Sequence, residues 1–81
     1  MERFEVKSKL EQLLRTSFKN ASLEASDALT AKDVDGWDSL AHMALIVEIE
    51  NVFQIKFKLK DLSKMNNVGC MIDIIMAKLQ G

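Results

Sequence analysis

Two stretches of the chain repeat apolar residues at the spacing of an amphipathic α-helix. Between residues 6 and 18 they recur three or four positions apart, with charged side chains between them. The same spacing returns between residues 68 and 79, after two asparagines that can each cap a helix. We therefore predict a first and a last helix that share one core. Their apolar positions are Val6, Leu10, Leu13, Leu14 and Phe18, and Val68, Ile72, Ile75 and Leu79.

The most apolar helical segment, residues 40–53, carries two apolar stripes on nearly opposite sides. A surface helix needs only one such stripe to pack on a core. The second stripe is therefore either buried as well or exposed for a partner protein, and the pattern alone leaves both options open. The first stripe contains Leu45, Ile46, Ile49 and Phe53, and the second contains Leu40, Met43 and Val47.

The segment between the first two helices, residues 19–37, has too few apolar residues for a convincing helix and is rich in Asn, Ser and Asp. A loop of this length is uncommon in a small domain unless it is functional or tied down. The pattern leaves open whether the loop contains a short helical turn. We expect the loop to be pinned to the core by Leu23, Leu29, Val34 and Trp37.

Residues 53–60 alternate strictly between apolar and polar side chains, which is typical of a β-strand. No other segment offers a pairing partner, and an unpaired strand is unstable. We therefore predict an extended connection whose apolar side chains, Leu59 included, enter the core. A short third helix is expected from Asp61 to Met65.

Composition restricts the classes of function. The 81 residues form a single domain, residues 1–81, with little room for a deep catalytic cleft. With 11 basic and 12 acidic residues, the net charge of −1 favours neither nucleic acid nor an anionic membrane as a partner. The N-terminal residues lack the apolar region of a signal peptide, and no stretch approaches a membrane span. We expect a cytoplasmic, monomeric all-α protein, an up-down bundle of three main helices and a short extra one.

Ser39 lies where the polar loop meets the second helix. Asp38 or Ser39 can cap this helix, because a short side-chain oxygen accepts from the unpaired N–H groups of the first turn. In either case the Ser39 hydroxyl stands at the partly positive end of the helix. A phosphate ester there is favoured by about 0.3 to 1 kcal/mol. Ser39 is thus a suitable attachment point for an anionic group.

The residues around Ser39 form a longer pattern. It begins with Gly36-Trp37-Asp38-Ser39-Leu40, continues through the apolar helix and Glu50, and ends with Phe53-Gln54-Ile55-Lys56-Phe57. Over essentially the whole chain, this pattern resembles an acyl carrier protein. In that family the serine of Asp-Ser-Leu carries a 4′-phosphopantetheine arm, which a phosphopantetheinyl transferase transfers from coenzyme A. The resemblance implies that Ser39 bears the arm and that the protein shuttles acyl thioesters without being an enzyme.

The same resemblance implies where partner enzymes bind. In acyl carrier proteins, the face of the second helix beside the modified serine contacts the enzymes that load and process the cargo. This favours an exposed second stripe. The expected docking residues are Asp38, Leu40, Met43, Val47, Glu48 and Glu50.

Two features depart from the housekeeping members of the family, which are strongly acidic with glutamates along the second helix. Here Ala44 stands where such a glutamate is common, and the net charge is near zero. Docking should therefore depend more on apolar contacts, as in a specialised carrier for an unusual lipid, an envelope polysaccharide or a secondary metabolite. Two alternatives remain open, a peptidyl carrier with aminoacyl cargo and a helical interaction module whose serine is unmodified.

Ser39, Asp38 and His42 contain the residue types of a hydrolase triad, but their spacing does not suit one. Ser39 and His42 lie on consecutive turns of one helix, where Asp38 cannot orient the imidazole from its far nitrogen. The glycines of a nucleophile elbow are also absent around Ser39. We interpret His42 as a surface or partly packed side chain.

Two further motifs are weak. Asp33 and Asp35 resemble part of a calcium loop, but the register leaves two main carboxylates missing. They are expected to be solvated loop acids or to contact the modifying enzyme. Lys56, Lys58 and Lys60 stand in a chain with no net positive charge, so we expect them to solubilise an exposed segment rather than to bind nucleic acid.

Overall fold

A computed structural model describes residues 1–80 of the protein, and these form four α-helices with no strand among them. The first helix packs against both the second and the last. No helix within residues 1–80 is long and apolar enough to cross a membrane. The predicted all-α fold is confirmed. The elements are α1 (Arg3–Ser17), a 3-10 turn (Ala31–Asp33), α2 (Ser39–Phe53), α3 (Leu59–Leu62) and α4 (Val68–Leu79).

The core lies between the three long helices. The central positions of the stripes predicted for α1 and α4 are fully buried, and Met71 joins them. Leu13, Phe18 and Leu79, at the margins of those stripes, pack only partly against the core. Burying one such side chain stabilises the fold by about 1.5 to 3 kcal/mol, so these residues dominate its stability. The fully buried ones are Val6, Leu10, Leu14, Leu45, Ile49, Val68, Met71, Ile72 and Ile75.

The long loop between α1 and α2 is held down as predicted. Leu23, Val34 and Trp37 are buried, and Leu29 packs partly against the core. The short helical turn that the sequence left open is present at Ala31–Asp33. The loop is therefore an ordered part of the bundle that delivers the chain to the start of α2.

The first turn of α4 lies directly against this loop at Gly69. The N–H of Gly69 donates to the carbonyl of Asp27 at 3.0 Å. A Cβ at Gly69 would lie 3.0 Å from the Asp27 Cβ and 3.2 Å from its carbonyl oxygen. Arg3 and Lys7 of α1 hold the Asp27 carboxylate at 3.0 and 3.5 Å. The Asp27 backbone therefore has little freedom to move away.

Replacing Gly69 with alanine is expected to destabilise the domain by about 1 kcal/mol, although alanine is the better helix former by a similar amount. The displaced loop loses a backbone hydrogen bond and part of its packing. In thermal unfolding followed by circular dichroism, the melting temperature should fall by roughly 4 to 8 °C. An unchanged or higher melting temperature would show that the loop adapts without cost.

The segment after α2 follows the prediction at first. Gln54 ends α2 in the left-handed region, with φ of 56° and ψ of 50°. Ile55 is then buried and Phe57 is half-buried, while Lys56 and Lys58 are exposed. This part is an extended connection whose apolar residues enter the core.

The prediction was wrong for Leu59, which is 85% exposed. It was also wrong for the bounds of the third helix, since α3 begins at Leu59 and ends at Leu62. The Asp61 carboxylate accepts a hydrogen bond from the N–H of Lys58 at 2.7 Å and so fixes a helical turn two residues earlier than expected. The alternation predicts the direction of a side chain only in an extended segment, so it does not apply to Leu59, which lies in a helix.

Candidate functional site

Asp38 caps α2, and Ser39 is its first residue. The Asp38 Oδ1 atom accepts from the N–H of Ala41 at 2.8 Å, and the Asp38 carbonyl accepts from the N–H of His42 at 2.8 Å. From the sequence, either Asp38 or Ser39 could cap α2, and in the structure Asp38 does so. The Ser39 side chain is thereby excluded from capping and is exposed at the helix mouth.

An open cleft of about 500 Å³ adjoins Ser39. Three parts of the chain meet there, the 3-10 turn, the first two turns of α2 and the loop that follows α3. Its walls combine a few polar groups with two methionines, so it can accommodate both polar and aliphatic parts of a ligand. It is lined by Ala31, Trp37, Asp38, Ser39, His42, Met43 and Met65.

One wall of the cleft is a tryptophan–histidine pair. Trp37 Nε1–H donates to His42 Nδ1 at 3.0 Å, with the two rings 6.0 Å apart and 23° from parallel. Phe18 stacks on Trp37 with ring centroids 5.2 Å apart. Because Nδ1 is an acceptor, the imidazole is neutral and carries its proton on Nε2. Sequence reasoning missed this pair.

The geometry gives Ser39, Asp38 and His42 no triad arrangement. His42 Nδ1 is occupied by Trp37 rather than by a carboxylate, and Asp38 is engaged with Ala41. The base and its orienting acid therefore do not contact each other. The half-buried position of His42 agrees with the partly packed side chain predicted for it.

Lowering the pH is expected to weaken the Trp37–His42 contact. Burial lowers the pKa of His42 from its ordinary value of 6.5. Since the folded-state pKa lies below the unfolded one, the stabilisation is complete above pH 6.5 and is lost as the pH falls through the folded-state value. A protonated imidazole has no acceptor for Trp37. A titration of the fluorescence of Trp37, the only tryptophan in the chain, should show a transition below pH 6.5.

The matched control for this titration is His42→Gln, which cannot titrate in this range. It should lack the transition while retaining the helical circular dichroism signal. A transition of the same size and position in His42→Gln, or one centred above pH 6.5, would contradict the assignment to His42.

The second stripe of α2 is exposed, so the option that it is buried as well is wrong. Leu40, Met43 and Val47 are 84%, 50% and 52% exposed. Glu48, also exposed, lies on the same helix. The other stripe, Leu45, Ile46, Ile49 and Phe53, is buried. Ser39 is therefore followed along α2 by three apolar side chains that each have at least half of their surface exposed.

Glu50 was predicted as a docking residue, and the structure gives it an internal contact. Its Oε2 accepts from the N–H of Phe57 at 2.9 Å, and the side chain is half-buried. Glu50 thus fastens the connection that follows α2 to the helix itself.

The two loop acids considered for calcium have different surroundings. The Asp33 carboxylate accepts from the N–H and the hydroxyl of Thr30 at 3.0 and 3.1 Å, which holds the 3-10 turn together. Asp35 is exposed. In the described part of the chain, no group of three or more His, Cys, Asp or Glu side chains is arranged to hold a metal ion.

No protein-family model matches the sequence, and no curated protein sequence matches it. Among solved structures, the chain is similar to the solution NMR structure of the holo acyl carrier protein from Geobacter metallireducens, with a TM-score of 0.88. The two are 39% identical, and the match covers 93% of this chain and 86% of that chain. Such identity over nearly the full length of both chains accompanies the same helical arrangement. The protein therefore belongs to the acyl carrier protein family.

Proposed function

We propose that the protein carries acyl intermediates as thioesters on a 4′-phosphopantetheine arm attached to the Ser39 Oγ. It passes them between the enzymes of a lipid, polysaccharide-modification or secondary-metabolite pathway and catalyses no reaction itself. The observation that carries this proposal is the exposed Ser39 hydroxyl on the first residue of a 15-residue helix, in a chain of this family. The Geobacter protein is described as a holo acyl carrier protein, which supports an arm here.

The residues around Ser39 fit a group attached through a phosphate. The N-terminus of α2 places partial positive charge beside the hydroxyl, which favours an anion, and the Asp38 carboxylate that caps the same helix offsets part of this effect. The adjoining cleft is open, so a transferase can reach the Ser39 Oγ. Met43 and Met65 offer apolar contact for the aliphatic part of an arm or its cargo. When bound, the arm supplies the thiol that forms the thioester.

Partner enzymes are expected to bind the exposed stripe of α2. These partners are the phosphopantetheinyl transferase and the acyl-loading and acyl-processing enzymes. Leu40, Met43 and Val47 provide apolar contact beside Ser39, and Asp38 and Glu48 provide a polar rim. Tethering the cargo raises its effective concentration at whichever enzyme is bound, so weak and reversible contacts suffice. We propose that the carrier works as a monomer in the cytoplasm.

The test is intact-mass spectrometry after incubation with coenzyme A, magnesium and a broad-specificity phosphopantetheinyl transferase. One phosphopantetheine per chain should be gained, and fragmentation should assign it to Ser39. No gain in mass, or attachment to another residue, would refute the proposed site. Loading the product with acyl groups and with amino acids by their respective enzymes would then distinguish an acyl from a peptidyl carrier.

The departures from housekeeping carriers support a dedicated pathway. Ala44 lies exposed on α2 between Leu40 and Val47, where an acidic contact is common in the family. Enzymes that recognise glutamates along this helix should therefore bind this carrier less well. If ordinary fatty-acid synthase enzymes processed this carrier as efficiently as their own carrier, the specialised role would be refuted.

A further inference from the structure

Charge is divided unevenly along this chain. Residues 1–53 contain six basic and ten acidic side chains and have a net charge of −4, whereas residues 54–80 contain five lysines and two aspartates and have a net charge of +3. The near-zero total therefore conceals an acidic part, which includes the start of α2, and a basic part around α3 and α4. Each part can attract a surface of opposite charge.

The basic part contains a surface groove of about 610 Å³ between the α3 segment and the second half of α4. Its lining consists of Lys58, Lys60, Asp61 and Lys64 on the α3 side and of Asp73, Ile74, Ala77 and Lys78 on α4. The groove therefore combines four ammonium groups, two carboxylates and a small apolar area, and the positive charges outnumber the negative ones. Such a lining suits a segment that carries carboxylates around an apolar side chain.

Both carboxylates that line the groove form ion pairs within the chain. Asp61 contacts the Nζ of Lys78 at 2.7 Å, and Asp73 contacts the guanidinium of Arg3 at 3.3 Å. No carboxylate within residues 1–80 forms an ion pair with the other three lysines that line the groove, Lys58, Lys60 and Lys64. Their charge is thus available to an external partner.

We propose that this groove binds an acidic segment of a partner enzyme and gives the carrier a second docking surface besides the apolar stripe of α2. The proposal rests on the carrier function proposed above, since it concerns that carrier's partners. A protein segment suits the groove better than a lipid bilayer, because a flat membrane surface does not enter a concave site. Exposed ion pairs are individually weak and are screened by salt, so three of them give weak, salt-sensitive binding.

The proposal is tested by NMR titration of the ¹⁵N-labelled full chain with a synthetic peptide of alternating glutamate and leucine. Chemical-shift changes should concentrate in residues 58–64 and 73–78 and should vanish in 0.5 M salt. The triple variant Lys58→Glu, Lys60→Glu and Lys64→Glu should bind the peptide at least tenfold more weakly, because three attractive charge contacts become repulsive. The matched control is Lys9→Glu, Lys19→Glu and Lys32→Glu, which changes the charge equally at exposed lysines elsewhere. This control should retain most of the affinity.

Equal losses in the two triple variants, or shift changes spread over lysines throughout the chain, would overturn the proposal in favour of nonspecific attraction. Binding of phosphatidylglycerol vesicles without binding of the peptide would overturn it in favour of a lipid surface. If the glutamate variant fails to fold, the set Lys58→Gln, Lys60→Gln and Lys64→Gln provides the same comparison. The mass gain at Ser39 is measured separately, so failure of this groove is distinguishable from failure of the carrier function.

Discussion

Replacing Ser39 with alanine is expected to abolish attachment of the phosphopantetheine arm and leave the fold intact. Alanine has no oxygen to form the phosphoester, so the loss should be complete rather than partial. The cap of α2 survives, because the Asp38 carboxylate supplies it. The serine side chain is exposed, and its removal should change stability by no more than about 0.5 kcal/mol. Intact mass after incubation with coenzyme A and transferase measures the first effect, and thermal unfolding measures the second.

Ser8→Ala is the matched control, since Ser8 is an exposed helical serine on α1. It should gain one arm, as the unaltered protein does. A mass gain in Ser39→Ala would show that another residue accepts the arm. A large loss of stability in Ser39→Ala would instead mean that the serine contributes to the fold. The loss of modification would then have to be measured in a variant that remains folded, such as Ser39→Cys.

The parts of the site that sequence reasoning predicted are those set by local chemistry. The helix period assigned Leu45 and Ile49 to one side of α2 and Leu40 and Val47 to the other, and the structure places them so. An oxygen-bearing residue before an apolar run indicated the start of the same helix, within one residue. Both signals depend on the backbone geometry of a few neighbouring residues, so they can be read without knowing the tertiary fold.

The parts that it missed depend on where the ends of elements meet. The Trp37–His42 hydrogen bond joins the end of the loop to α2 across the Asp38 cap. The exposure of Leu59 depends on one carboxylate, that of Asp61, which begins α3 earlier than the apolar pattern indicated. A single side-chain hydrogen bond decides each outcome, and residue spacing alone does not show whether that bond forms.

The carrier function that we propose places unequal demands on the two sides of α2. The inner side must hold Ser39 in a fixed position, while the outer side must bind several enzymes in turn and release them. Ile49 belongs to the inner side and is 0% exposed, whereas Val47, two residues earlier, belongs to the outer side and is 52% exposed. The two positions therefore offer a test that separates stability from docking within one helix.

Replacing Ile49 with alanine is expected to destabilise the domain by about 2 to 5 kcal/mol, because it leaves a cavity where the side chain fills the core. Small domains have about 5 to 15 kcal/mol in total, so the melting temperature should fall by at least about 8 °C. Below that temperature the folded fraction should still accept an arm on Ser39. Val47→Ala removes a similar apolar group from the exposed side and should change stability by less than about 0.5 kcal/mol while raising the KM of the transferase for the carrier. Similar losses of stability in the two variants would contradict the division of α2 into a core face and a docking face.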